Sequence, residues 1–207
     1  MNDYYSNYFL SISQGLESAQ YFHLANVATP SKMFTDLNRQ IDQIRSNSGK
    51  IFFFGNGASA AFANHMALDF SKNGKITARS LSDSSMLTAL ANDFSYTEAM
   101  VEFLKIEGLN KNDLVVTISS SGNSPNVVNV LTYCKENNFK TLALSGLKKD
   151  NKSIQLSDYS IYVPMKTYGM VECIHQIFLH LILDQSMNIF EWDREDFQNM
   201  SAKDFIL

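Results

Sequence analysis

The sequence has few cysteines and none of the spacings that would give them a special role. Only Cys134 and Cys173 occur among the 207 residues, and they do not form a CxxC pair. A disulfide framework and a thiolate zinc site are therefore not expected. We interpret both residues as reduced thiols of a cytoplasmic protein.

Runs of basic residues and long apolar segments are also missing. The chain has 17 Lys and Arg residues against 21 Asp and Glu residues, for a formal net charge of −4, so no electrostatic footprint for nucleic acid is predicted. The first 16 residues lack the pattern of a signal peptide, and the apolar run at 177–183 is too short to span a bilayer. With 45% hydrophobic and 18% charged residues, the composition is that of a globular cytoplasmic protein that binds neither nucleic acid nor membrane.

The first 48 residues are predicted to be helical. Apolar residues recur at helical spacing over residues 3–28 and predict a first amphipathic helix. They are Tyr5, Phe9, Ile12, Leu16 and Phe22. After Pro30, a second helix with Ser31 as its N-cap is predicted to continue to about Ser48. Its apolar face comprises Met33, Leu37, Ile41 and Ile44.

Short apolar runs alternate with helical patterns between residues 50 and 190. The predicted strands cover residues 50–54, 75–81, 113–119, 141–145 and 160–163. The predicted helices cover residues 58–71, 84–91, 97–104, 126–137 and 170–190. This alternation predicts an α/β fold, a doubly wound, mostly parallel sheet flanked by helices. We expect a single domain over 1–207, with a helical extension (1–48), an α/β core (49–190) and a polar tail (191–207).

Two loops between a strand and a helix carry the chemistry. They are the GNG loop (55–59) and the serine loop (119–124), and both are expected at the carboxyl ends of strands, where open sheets bind ligands. The serine loop has four hydroxyls around Gly122 at a helix N-terminus, an arrangement suited to an anion such as phosphate. The alternative is a plain serine-rich turn with an N-cap. Neither a P-loop lysine nor GxGxxG is present, which disfavours nucleotide hydrolysis and dinucleotide binding.

The segments FFFGNGASAAFANHMALDF and TISSSGNSPNVVNVL resemble the SIS (sugar isomerase) domain, and most closely the GmhA-like phosphoheptose isomerase family. ALANDF at 89–94, TLALSG at 141–146 and VECIHQIFLHLIL at 171–183 add to the likeness. The resemblance implies conversion of sedoheptulose 7-phosphate to D-glycero-D-manno-heptose 7-phosphate through an enediol. It also implies a homotetramer with active sites between subunits, and a product used for the heptose of lipopolysaccharide, capsule or a similar glycan.

The same resemblance implies roles for individual residues. The phosphate would be bound by Ser119, Ser120, Ser121 and Ser124. The sugar hydroxyls would be contacted by Asn56, Ser59 and Asp93. One Zn²⁺ per active site would be held by His65, Asp69, Glu172 and His180. The catalytic residues would be Asp69, Glu172 and His180.

Two of these positions depart from the family pattern. Asp69 stands where the family has a glutamate, and Glu172 stands where it has a glutamine, so either carboxylate could be the base. The shorter Asp69 loses one methylene of reach, and a misplacement of about 1 Å can cost on the order of a hundredfold in rate. Without the resemblance, His180 would be interpreted as a packed core histidine and Asp69 as a solvated carboxylate. His175 is expected to be structural or to contact another subunit.

Two other functions remain open at this point. A non-catalytic SIS adaptor of the DiaA type, which binds a replication initiator, would fit an altered base. The retained histidines and carboxylates weigh against it, because an adaptor does not need a metal-competent set. A sugar-phosphate sensor within a transcriptional regulator is disfavoured because no DNA-binding module is attached.

Overall fold

The structure is a computed structural model and describes residues 3–193. The helices are α1 (Tyr4–Glu17), α2 (Pro30–Ser46), α3 (Ala58–Lys72), α4 (Ser84–Asp93), α5 (Ala99–Ile106), α6 (Pro125–Glu136), α7 (Lys152–Leu156) and α8 (Tyr168–Ser186). The strands are β1 (Gln20–His23), β2 (Asn26–Ala28), β3 (Ile51–Gly55), β4 (Ala78–Ser80), β5 (Leu114–Ser119), β6 (Lys140–Gly146) and β7 (Tyr159–Val163). A short 3₁₀ turn covers Glu191–Asp193, and the rest of the predicted polar tail lies outside the described residues.

The strands form one seven-stranded sheet in the order β2-β1-β7-β6-β5-β3-β4. The five strands from β3 to β7 pair in parallel, and β1 pairs antiparallel with both β2 and β7. The predicted α/β fold with a mostly parallel sheet is confirmed. From β3 the chain moves outward to β4 and then returns to β5 on the other side of β3. The carboxyl ends of β3 and β5 therefore flank a topological switch point, where such sheets bind ligands.

Helices cover both faces of the sheet because the strands are apolar on both sides. Every residue of β3 is buried, with Phe53 packing on the face covered by α2, α3 and α8. Phe52 and Phe54 pack on the opposite face, against α4, α5 and α6. Strands buried on both faces are typical of parallel sheets. Since α3 and α6 leave the switch point on opposite faces, the GNG loop and the serine loop face each other across it.

The prediction of a single helix over residues 3–28 is wrong beyond residue 17. Residues 20–28 form the β1–β2 hairpin, in which Phe22 pairs with Val27. Its two-residue loop, Leu24 and Ala25, has φ angles of 50° and 62°. A turn with two positive φ angles is usually made by Asn or Gly. Leu and Ala give no turn signal, so the local sequence did not reveal the hairpin.

The predicted N-cap of the second helix, Ser31, is also wrong. Thr29 is the N-cap, and its side chain accepts a hydrogen bond from the Lys32 backbone N–H at 3.3 Å. Pro30 begins the helix instead of preceding it, because the first turn needs no N–H from the proline and its fixed φ suits a helix. The helix therefore begins at Pro30.

The last helix is shorter than predicted. It ends at Ser186 and not at Phe190, and Asn188 adopts a φ of 57°, a conformation that commonly follows a helix C-terminus. The short helix α7 was not predicted, since five residues are too few for a periodic pattern to show. Within residues 3–193, no helix has both the length and the apolar content needed to cross a membrane.

Candidate functional site

The serine loop presents hydroxyls that are only partly engaged within the chain. Ser119 and Ser120 are buried, and the Ser119 Oγ lies 3.2 Å from the Ser124 Oγ. The Ser121 Oγ accepts a hydrogen bond from the Asn123 backbone N–H at 3.2 Å. The Ser120 Oγ is buried and has no hydrogen-bond partner among the described residues. Because buried polar groups are normally paired, this hydroxyl is suited to bind an oxygen atom of a ligand.

Gly122 fixes the shape of the serine loop. Its φ is +63°, and a Cβ there would lie 2.4 Å from the Oδ1 of Asn151. Asn151 is fully buried and caps α7 by accepting a hydrogen bond from the Ile154 N–H at 3.3 Å. The Gly122 carbonyl in turn accepts a hydrogen bond from the Ser153 hydroxyl at 2.9 Å. The loop is therefore packed on α7, and only glycine fits at its bend.

An amide pair joins the two loops. The Asn56 Nδ2 donates to the Asn126 Oδ1 at 2.9 Å, and the Asn126 Nδ2 donates to the Asn56 Oδ1 at 2.8 Å. The Tyr96 hydroxyl also donates to the Asn56 Oδ1 at 2.8 Å. The sequence prediction included Asn56 but missed Asn126 and Tyr96. Neither lies in a local pattern that would bring it to residue 56, which is distant along the chain.

A cavity of about 130 Å³ opens between the two loops and the start of α8. Its lining residues are Asn56, Ser59, Ile118, Ser119, Ser120, Ser121, Ser124, Tyr168 and Glu172. All the predicted substrate-binding residues except Asp93 line it. Asp93 is exposed at the end of α4, where it accepts a hydrogen bond from the Asn92 amide at 2.9 Å. Tyr168, the first residue of α8, also lines the cavity and was missed because a tyrosine at a helix start is not a recognisable signal.

Glu172 supplies the only carboxylate that lines this cavity in the part of the chain that the structure describes. It forms no hydrogen bond or ion pair with any other residue in the described part of the chain. Within residues 3–193, no Lys, Arg or His lines the cavity, so an anion would be bound by hydroxyls and by the N-terminal end of α6. An unpaired carboxylate beside such a pocket is able to take a proton from a bound ligand.

A second cluster of functional groups lies between α3 and α8. Ligand atoms of His65, Asp69 and His180 all lie within 4.8 Å of one another. The His65 Nε2 is 3.2 Å from the Asp69 Oδ2, and the rings of His65 and His180 are 5.3 Å apart. Two imidazoles and a carboxylate are a donor set that suits Zn²⁺. Glu172 does not belong to this cluster, so the structure brings together three of the four predicted metal ligands.

The other histidine of α8 has a different environment. His175 is fully buried, and its Nε2 lies 3.0 Å from the backbone carbonyl oxygen of Ser145. Burial disfavours the charged imidazole and lowers the pKa of His175 to about 4, although the hydrogen bond to Ser145 opposes this shift. The residue is therefore a neutral part of the core, as expected for a structural histidine.

Comparison with known proteins connects this geometry to a family. The family model described as the SIS domain matches residues 23–146, which include both loops and α3. The chain belongs to the SIS domain family. The phosphoheptose isomerase of Helicobacter pylori (strain HPAG1) is 36% identical to this SIS protein over 144 residues, or 67% of this chain and 74% of that protein. The phosphoheptose isomerase of Aneurinibacillus thermoaerophilus is 34% identical over 146 residues, or 68% and 73%.

These similarities make the chain a member of the phosphoheptose isomerase family within the SIS proteins. A solved structure, that of phosphoheptose isomerase GmhA from Neisseria gonorrhoeae, has the same fold, with a TM-score of 0.75. The two chains are 24% identical, and the match covers 89% of this chain and 95% of the other. The residues matched by the SIS model end before α8, so Glu172 and His180 lie outside that match.

Proposed function

We propose that this SIS protein is a phosphosugar isomerase that converts sedoheptulose 7-phosphate to D-glycero-D-manno-heptose 7-phosphate through an enediol. One observation carries the proposal: a hydroxyl-lined cavity at the switch point has on its wall a carboxylate, that of Glu172, with no partner among residues 3–193. The phosphoheptose isomerases related to this chain support the choice of substrate. The same relatives do not favour the adaptor hypothesis.

Phosphate binding is assigned to the serine loop. The hydroxyls of Ser119, Ser120 and Ser124 line the cavity, and the N-terminal end of α6 adds the positive end of a helix dipole. Because Ser120 has no partner among the described residues, a phosphate oxygen would satisfy a group that is otherwise left without a hydrogen bond. Asn56 and Ser59, on the opposite wall, are placed to contact sugar hydroxyls.

Proton transfer is assigned to the groups that α8 and α3 present. Glu172 takes a proton from C1 of the ketose while the oxygen on C2 is protonated, which gives the enediol. Loss of the proton from the oxygen on C1 and protonation of C2 then give the aldose. His180 stabilises the charge on these two oxygens, either by hydrogen bonding to them or by holding a metal ion.

A Zn²⁺ ion held by His65, Asp69 and His180 would polarise the carbonyl oxygen of the sugar. Asp69 is the alternative base, but it already lies 3.2 Å from the His65 imidazole and within the metal-competent cluster. Glu172, in contrast, has no partner in the described part of the chain, which is the reason for assigning the base to it.

A turnover assay tests the proposal directly. Purified protein, with and without added Zn²⁺, is incubated with sedoheptulose 7-phosphate, and the aldoheptose product is measured. We expect turnover that is lost in His180→Ala and in Glu172→Gln. Loss in Asp69→Asn together with retention in Glu172→Gln would assign the base to Asp69. Binding of the sugar phosphate without turnover under every metal condition would contradict the heptose isomerase assignment.

We also propose that the protein is a homotetramer. Apolar side chains are exposed on two helices, including Tyr5 and Phe9 on α1 and Ile177 and Leu181 on α8. A groove of about 690 Å³ runs along α8 and is lined in part by Trp192. Such surfaces favour association. Light scattering coupled to size-exclusion chromatography measures the mass in solution, and a monomeric mass would contradict this proposal.

The remaining proposals concern the setting of the enzyme. We propose that residues 1–207 form one SIS domain, that the protein is cytoplasmic, and that its product supplies heptose for a surface glycan. The unpaired thiols of Cys134 and Cys173 fit a reducing compartment. Fractionation of cells with an antibody against the protein tests the location.

A further inference from the structure

Gln176 is a polar residue on α8 whose side chain reaches the cluster of His65, Asp69 and His180. Its Nε2 lies 2.8 Å from the His180 Nε2 and 3.9 Å from the Sδ of Met66 on α3. Its other amide atom, Oε1, is buried and has no hydrogen-bond partner among the described residues. The sequence predictions did not include Gln176.

The spacing of the atoms in this cluster suits adjacent ligands of one ion. His65 and Asp69 on α3 are four residues apart, as are Gln176 and His180 on α8, so each pair lies on one side of its helix. The facing atoms are 3.2 Å apart in the first pair and 2.8 Å apart in the second. Ligands bonded to one tetrahedral Zn²⁺ lie roughly 3.4 Å from each other. Both pairs come close to that separation.

The Gln176 amide can be turned so that its oxygen, and not its nitrogen, lies beside His180. An amide oxygen and an amide nitrogen have nearly the same size, and rotation of the amide exchanges their positions. The exchange places Oε1 beside the His180 Nε2, where a cation shared by the two atoms would bind it. The oxygen, which has no hydrogen-bond partner among the described residues, would then be coordinated to the cation.

We propose that Gln176, and not Glu172, is the fourth protein ligand of a Zn²⁺ ion held by His65, Asp69 and His180. The ligand set is then two i, i+4 pairs from helices that face each other, with two nitrogen and two oxygen donors. The inference rests on the proposed function and deepens it. With Gln176 as the fourth ligand, Glu172 is free to transfer a proton at the cavity between the serine loop and the GNG loop, which is the proposed phosphate cavity.

Metal titration tests the inference without relying on turnover. Protein stripped of metal with a chelator is titrated with Co²⁺, a spectroscopic substitute for Zn²⁺, and the visible absorption band and the affinity are recorded. The matched variants are Gln176→Leu and Glu172→Leu, the same substitution one turn apart on α8. Gln176→Glu retains an oxygen donor, and His180→Ala removes an established member of the cluster.

We expect Gln176→Leu to weaken Co²⁺ binding at least about tenfold, the lower end of what loss of even an outer-shell partner causes, and to alter the absorption band. Gln176→Glu should retain binding, and Glu172→Leu should match the unsubstituted protein. Circular dichroism verifies the fold of each variant, and Gln176→Glu remains informative if the leucine variant unfolds.

Four results would overturn the inference. The first is a Gln176→Leu variant with unchanged affinity, and the second is an equal loss in Glu172→Leu. The third is weaker binding with an unchanged absorption band, which would mean that Gln176 only orients His180. Absence of Co²⁺ binding in the unsubstituted protein would also overturn it, whereas metal-free turnover would still support the isomerase. Binding in the expected order without turnover would support the ligand set and contradict the isomerase.

Discussion

The cavity at the switch point, where we propose that phosphate binds, and the cluster between α3 and α8 are built in different ways. The cavity uses contiguous residues of a loop whose bend is set by Gly122 and whose hydroxyls line the space at the switch point. The cluster uses side chains from two helices that are far apart in sequence and meet only through packing. A local motif therefore defines the first region, and the tertiary fold defines the second. We expect substitutions in the serine loop to affect phosphate binding, and substitutions in the cluster to affect the chemistry.

The largest expected effect is on the chemistry alone. His180→Ala should lower kcat by about 10²–10⁴-fold, the range that a general acid or base contributes. Inhibition by inorganic phosphate should change little, because His180 does not line the phosphate cavity. Steady-state kinetics with and without phosphate measure both effects. His23→Ala, in the hairpin strand β1, is the control. If His180→Ala lost phosphate binding as strongly as it lost kcat, the distinction between the two regions would be contradicted.

A smaller effect, on binding, is expected at the unpartnered hydroxyl. Ser120→Ala should raise KM by roughly 10- to 100-fold, since a hydrogen bond to a charged group contributes about 1.5–3 kcal/mol. Its stability without ligand should be unchanged or higher, because the hydroxyl has no partner to lose in the described part of the chain. Kinetics and urea unfolding together measure this contrast. A destabilised Ser120→Ala protein with normal KM would mean that the serine is structural.

The bend of the serine loop can be compared with that of the GNG loop. Gly57 and Gly122 both have positive φ, of 58° and 63°, but a Cβ at Gly57 meets no atom within 4 Å. Gly57→Ala should destabilise the protein by about 1–3 kcal/mol, because a φ of 58° with a ψ of −124° is a backbone conformation that residues with a Cβ rarely adopt. Gly122→Ala should cost more and raise KM, because it also displaces Asn151. Equal losses of unfolding free energy would show that the contact with Asn151 is unimportant.

The last expected effect lies outside both regions and concerns the pH dependence of stability. The folded-state pKa of His175 is lowered to about 4, so the unfolded chain binds the proton more readily. Its contribution to stability is complete above the ordinary histidine pKa and is lost as the pH falls from about 6.5 towards 4, by at most about 1.4 kcal/mol per pH unit. Urea unfolding between pH 7.5 and 4.5 should show a shallower pH dependence in His175→Gln. Identical slopes would contradict the assignment.

The sequence was sufficient where local chemistry determines the structure. The alternation of strands and helices predicted the α/β fold, and the hydroxyls around Gly122 predicted a loop that does line a cavity. It was insufficient where distant elements meet or where a turn lacks its usual residues. The hairpin at Leu24 and Ala25 gave no turn signal, and the pairing of Asn56 with Asn126 depends on two loops meeting at the switch point.

The sequence also did not show that Glu172 lies outside the cluster of His65, Asp69 and His180. The sequence placed Glu172 and His180 two turns apart on one helix but could not show which of them faces α3. Gln176 could not be recognised for the same reason, since its role depends on the rotation of α8 relative to His65 and Asp69. Asp93 is the one predicted substrate residue that does not line the cavity. It ends α4, which packs on the face of the sheet opposite to that covered by α8.

The most direct test of the isomerase is a proton NMR measurement in D₂O with sedoheptulose 7-phosphate. Transfer through an enediol exposes the migrating proton to solvent, so the aldoheptose phosphate should form with deuterium at C2. Glu172→Gln should give neither product nor deuterium incorporation while still binding inorganic phosphate. A sugar phosphate that stays unchanged and unlabelled both with and without added Zn²⁺ would contradict the account.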